Sequence, residues 1–121
     1  MSKTILCVDD SASMRQTIKL TLAVSGYRIV EAVDGLDGLD KARENTVDLV
    51  ITDLNMPRMD GLEFINEVRK LPAFKGVPIV FVTTESDETK RAAAKAAGAT
   101  AWITKPFAPD HLLKVARRLL G

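Results

Sequence analysis

The sequence predicts an open α/β architecture, a parallel sheet of about five strands with helices on both faces. Five short apolar runs alternate along the chain with stretches of helical spacing. Carboxylates close two of those runs, where the strands of such a sheet end. Glycine, proline and capping residues punctuate the boundaries in the order that strand–helix alternation requires.

The first run, Thr4–Val8, ends at Asp9-Asp10. Met14, Ile18 and Leu22 follow four apart, on one helical face, with Asp10 or Ser11 suited to cap that helix and Gly26 suited to end it. Tyr27–Val33 and Val47–Thr52 form the second and third runs, and Asp53 closes the third. Asp60 followed by Glu63 has the spacing of a capping box and opens the stripe Leu62, Ile65, Val68. Val77–Thr83 is the fourth run; Gly98 suits the end of the next helix, and Ala99–Thr104 is the fifth run. Lys105-Pro106 follows, a candidate cis peptide bond. Pro109 suits a first helical turn ahead of Leu112, Ala116 and Leu119.

A chain of 121 residues fits one domain, and 46% hydrophobic residues is enough for a core without disulfide or metal staples. With no linker, low-complexity tract or repeat, residues 1–121 read as a single domain with no output domain attached. Net charge of +1 gives no general attraction to nucleic acid, and no DNA-binding module is recognisable. Charge is unevenly distributed: Glu31–Glu63 holds nine acidic and three basic residues, and Ser86–Gly121 seven basic and three acidic. An acidic centre fits metal binding, and a basic final third fits an acidic partner surface or simply solvated helix faces. Cys7 is single and lies within an apolar run, as a buried inert thiol does. The N-terminal apolar stretch is too short for a signal peptide or a membrane span, so a cytoplasmic protein without membrane insertion is expected.

Asp9, Asp10 and Asp53 are expected to meet at one edge of the sheet, where they repel one another unless a cation or a proton intervenes. Three carboxylates suit Mg²⁺, which takes oxygen ligands and keeps several waters; no histidine–cysteine cluster argues for zinc. Asp53 is the candidate nucleophile, because a carboxylate can attack phosphorus and form an acyl phosphate. The bland alternative is a capping or loop aspartate. Of the adjacent pair, one carboxylate can ligate the metal directly and the other can orient a metal-bound water. Asn55, two residues after Asp53, could offer its backbone carbonyl. Its side-chain amide cannot serve as the general acid/base that phosphatases using an aspartate nucleophile place there, which favours a site that gains phosphate readily and loses it slowly. Thr83 offers a hydroxyl and Lys105 an ammonium for phosphoryl oxygens, each unremarkable alone.

Val8-Asp9-Asp10-Ser11, Asp53-Leu54-Asn55-Met56-Pro57, Met59-Asp60-Gly61, Thr83-Thr84-Glu85 and Lys105-Pro106-Phe107 together resemble the receiver domains of two-component response regulators, specifically the stand-alone CheY chemotaxis type. The resemblance spans essentially the whole chain. It implies a flavodoxin-like, doubly wound five-stranded sheet in the order 2-1-3-4-5. It implies phosphotransfer from a histidine kinase to Asp53, Mg²⁺ held by Asp10, Asp53 and the Asn55 carbonyl, and Asp9 acting through water. Thr83 and Lys105 then bind the phosphoryl oxygens, and Trp102, where tyrosine or phenylalanine is usual, either turns inward behind Thr83 or stays outward as a fixed contact. Asn55 and Glu85 occupy positions that tune phosphate loss, implying a short-lived acyl phosphate. The implied partners are the kinase, a downstream target such as the flagellar motor switch, and a phosphatase. The implied output runs through the face formed by the last two helices and the last strand.

Other readings remain. The chain could act as a phosphate sink or intermediate receiver without motor binding, or as a Mg²⁺-dependent phosphatase, against which Asn55 argues. A flavodoxin-like cofactor binder is disfavoured, because acids stand after Val8 where glycine and hydroxyl groups cradle a phosphate.

Overall fold

Each strand alternates its side chains between two apolar layers. In the computed structural model, which describes residues 2–121, Ile5 and Cys7 point into one layer and Leu6 and Val8 into the other. The strands are β1 (Thr4–Val8), β2 (Arg28–Ala32), β3 (Leu49–Thr52), β4 (Ile79–Thr83) and β5 (Ala101–Thr104). The helices are α1 (Ala12–Ala23), α2 (Gly35–Glu44), α3 (Gly61–Val68), α4 (Glu88–Ala96) and α5 (Pro109–Leu120). All neighbouring strands are parallel, in the order β2-β1-β3-β4-β5. This is the expected flavodoxin-like topology, and strand order reverses between β1 and β3.

Ile18 and Leu22 of α1 and Leu112 and Ala116 of α5 cover one face of the sheet. Leu39 and Ala42 of α2, Phe64, Ile65 and Val68 of α3, and Ala94 of α4 cover the other. Because β1 and β3 are buried on both faces, they read as continuous apolar runs, without alternation.

Helix boundaries follow the expected chemistry. Ser11, not Asp10, caps α1, its hydroxyl accepting from the Met14 amide at 3.2 Å. Asp60 and Glu63 complete a reciprocal capping box on α3. Gly26 and Gly98 take positive φ just beyond α1 and α4, Pro109 opens α5, and Lys105–Pro106 is cis. The strands are shorter than the apolar runs: Tyr27, Val33, Val47 and Val77 fall outside them. Val47 is buried all the same, as turn packing requires no ladder. A short 3-10 turn at Pro72–Phe74 was not anticipated; it buries Phe74 under the end of α3.

Gly61 fixes how closely α3 approaches the end of β3. Its amide donates to the Leu54 carbonyl at 2.8 Å, and a Cβ there would collide with the Asp53 carbonyl and lie 2.7 Å from the Phe81 ring. Gly61→Ala is expected to lose about 1–3 kcal/mol, the usual range for overpacking. The measurement is a urea titration, in which the midpoint falls at unchanged slope.

Candidate functional site

Four strand ends bring the site together. β1 delivers Asp9 and Asp10, β3 Asp53, β4 Thr83 and β5 Lys105. Register sets their level: the Asp53 amide donates to the Val8 carbonyl at 2.9 Å, and the Lys105 amide to the Thr83 carbonyl at 2.8 Å. Carboxylate oxygens of Asp9, Asp10 and Asp53 all lie within 4.8 Å of one another.

Lys105 spans the cluster. Its Nζ donates to Asp9 Oδ2 at 2.9 Å and to Asp53 Oδ2 at 3.0 Å. Asp9 is almost fully buried, and Lys105 and Asp53 are each about nine-tenths covered. Burial pushes the Asp9 carboxyl above its ordinary range, against the opposing pull of the Ser11 amide and Lys105. Burial also weakens the Lys105 ammonium, but the hydrogen bonds and charges of Asp9 and Asp53 outweigh it and hold the group more basic than usual. The remaining Asp53 oxygen accepts from the Leu54 amide at 2.7 Å. Asp10 is exposed at the mouth of the cluster. The donor set is therefore all oxygen, open on one side and strongly negative, which fits a hard divalent cation.

Thr83 is fully buried, and its hydroxyl oxygen accepts from the Glu85 amide at 3.2 Å. Trp102, on the next strand, is half-buried, with its ring 5.6 Å from that of Phe81 and the Arg91 guanidinium 5.8 Å from its centroid. It lines a hollow of about 230 Å³ between α4 and β5, together with Arg91, Lys95 and Thr100. Cys7 is buried, and desolvation pushes its thiol up to about 12, as suits an inert core residue.

Arg15 and Arg58 carried no signal of their own in the sequence, and Glu85 was marked there only through the resemblance, not for its contacts. Arg15 donates to the Asp9 carbonyl at 2.6 Å and pairs with Glu31. Glu85 accepts from Lys90 at 3.1 Å and, more loosely, from the Asn55 amide at 3.4 Å, so one carboxylate joins α4 to the loop after Asp53. Arg58 bonds the buried carboxylate of Asp34 at 2.6 Å.

The fold and the strand-end site define a doubly wound α/β domain with a carboxylate cluster suited to a cation at its sheet edge. The profile of the response regulator receiver domain matches residues 5–117, and the chain belongs to that family. It is 40% identical over 119 residues to chemotaxis protein CheY1 of Helicobacter pylori, covering 97% of this chain and 96% of that protein. It is 37% identical over 116 residues to the sensor histidine kinase CheAY of the same organism, but spans only 14% of that protein's length. Among solved structures, the chemotaxis response regulator CheY4 of Vibrio cholerae superposes with a TM-score of 0.93 at 43% identity, covering 99% of this chain and 100% of that one. The chain is thus a CheY-like receiver, a class of signalling proteins and not of turnover enzymes.

The Asp34–Arg58 pair gives a pH dependence with a definite sign. The Arg58 hydrogen bond holds the Asp34 carboxyl below its ordinary 3.8, outweighing burial, with help from the Asp37 amide. The unfolded chain then binds that proton more readily. The pair's stabilisation is complete above about pH 3.8 and is lost as pH falls through the lower folded value. Asp34→Asn is expected to flatten the acid limb of stability below that pH, as read by urea midpoints across pH 2–6.

Proposed function

We propose that the chain is a phosphorylation-activated switch of a chemotaxis two-component pathway, with Asp53 accepting a phosphoryl group from the phosphohistidine of a kinase. The observation that carries this reading is Lys105 bridging Asp9 and Asp53 beside Asp10. An Asp53 carboxylate oxygen attacks phosphorus, a P–O bond forms, and the P–N bond to the donor imidazole breaks, the electron pair leaving with nitrogen. Lys105 then has its second ammonium hydrogen bond available for a phosphoryl oxygen. Thr83 can donate its hydroxyl proton to another while still accepting from the Glu85 amide.

Asp10, Asp53 and the Asn55 carbonyl are the proposed ligands of Mg²⁺, with Asp9 acting through water. The ion supplies charge neutralisation for the transferring group. Asn55 offers an amide where a hydrolase needs a proton-transfer group, so the acyl phosphate is a signal and not a turnover intermediate. Output is assigned to the α4–β5–α5 face, where Arg91 and Lys95 flank Trp102 and suit an acidic target such as a motor protein. A ligand at Asp53 that draws in Thr83 removes support behind Trp102 and shifts its population. A single cytoplasmic receiver domain over residues 1–121 completes the proposal; among the described residues no helix is long and apolar enough to cross a membrane.

Intact-mass spectrometry after acetyl phosphate and Mg²⁺ treatment is the test. The expected result is one phosphate adduct that maps to Asp53 and disappears in Asp53→Asn, whose fold is retained; an adduct on a hydroxyl, or none, contradicts the reading. Asp10→Lys places an ammonium in the metal's position. It is expected to abolish Mg²⁺-dependent quenching of Trp102 fluorescence, and undiminished quenching counts against the ligand assignment.

A further inference from the structure

The segment between β3 and α3 carries Asn55 and is tied down at both base and apex. At the base, the Gly61 amide donates to the Leu54 carbonyl. At the apex, the Gly35 amide donates to the Met59 carbonyl at 3.1 Å, and Arg58 Nε donates to Asp34 Oδ2 at 2.6 Å. Arg58 has φ 64°, the only positive value outside glycine among the described residues. A side chain resists that conformation, which persists only where the surroundings impose it. Here they do. Asp34 is 3% exposed and is itself fixed as the cap of α2, accepting from the Asp37 amide at 2.9 Å. Gly35 allows the close approach, since a Cβ there would lie 2.6 Å from the Met59 side chain.

We propose that Arg58 is a positioning residue for the cation site: its ion pair with Asp34 locks the left-handed turn and so holds the Asn55 peptide in one geometry before any cation arrives. This rests on the reading of Asp10, Asp53 and the Asn55 carbonyl as Mg²⁺ ligands. Arg58 lies outside the carboxylate cluster and acts on it through the backbone of residues 55–58. Its guanidinium is largely solvent-facing, yet its partner is buried, so the tether is anchored from the protein side. Without it, the loop populates the binding-competent geometry only part of the time, and apparent affinity falls by that fraction.

Arg58→Gly separates the tether from the strain, because glycine keeps the left-handed turn without a side chain to resist it. Mg²⁺ titrations of the full chain, followed by Trp102 fluorescence and calorimetry, are compared for the unmodified protein, Arg58→Gly, Asp34→Asn and the double variant. Arg58→Gly is expected to bind Mg²⁺ roughly 3–10-fold more weakly, reflecting the reduced competent fraction. The double variant should lose no more than Asp34→Asn alone. In the metal-free state, amide order parameters of residues 54–60 should fall in Arg58→Gly while those of β3 stay unchanged, a change that a general loss of stability does not produce. If the unmodified chain binds Mg²⁺ and Arg58→Gly binds within twofold of it with an equally ordered loop, the positioning role is overturned and the metal site stands. If the unmodified chain binds no Mg²⁺, both fall.

Discussion

One ammonium between a buried and a largely covered carboxylate organises this molecule. The sheet topology brings Asp9 and Asp53 to one edge and leaves Asp10 beside them, with oxygens of all three within 4.8 Å. Such a cluster opposes folding unless positive charge offsets it. Lys105, delivered by the far strand of the same edge, supplies one charge. Three carboxylates against one ammonium leave an excess of two negative charges, which a divalent cation matches. The same excess repels phosphate until a cation is present. On the proposed reading, metal binding and phosphoryl acceptance are coupled through this charge balance.

The scaffold makes that interaction possible by fixing heights and distances. β1 and β3 are buried on both faces, so a one-residue slip would exchange their side chains between two close-packed layers and misfit both. Backbone hydrogen bonds from Asp53 to Val8 and from Lys105 to Thr83 carry this register directly into the site. The β3–α3 loop is the exception, since no strand neighbour fixes it. Its geometry depends on Gly61 at the base and on the contacts with residues 34 and 35 at the apex.

Most of this architecture was legible because strong local signals agreed. The runs ending at Asp9 and Asp53, the Asp60–Glu63 capping box and the glycines after α1 and α4 each marked one boundary, and together they fixed five strand–helix units. The strand-end acids and Lys105 were legible as a set, because parallel strands must end at a common edge. What stayed hidden depends on contacts between distant residues. Nothing near Arg58 announces a left-handed backbone, since the reason lies 24 residues away at Asp34. Strand ends were overestimated at Tyr27, Val33, Val47 and Val77, because apolar turn residues that pack on the core look like strand residues in sequence. Arg69 is a similar case: its guanidinium donates to the Phe74, Val77 and Gly98 carbonyls, a staple that no spacing reveals.

That staple bears on how a change at Asp53 can reach the opposite side of the sheet edge. Gly98 follows α4 directly, so Arg69 fastens that helix at its C-terminal end. The N-terminal end is held by the exposed Lys90–Glu85 pair, which contributes little in water. α4 buries a single residue, Ala94, where α3 buries four. Local stability follows buried apolar contact, so α4 is the helix with the least to lose by shifting, and its C-terminal end is the better held. Trp102 and Arg91 lie along the span between anchor and free end, and Glu85 joins that free end to Asn55. The carboxylate cluster and the basic face are therefore connected through the helix with the least buried surface, and on the proposed reading this is the element through which a charge change at Asp53 reaches that face.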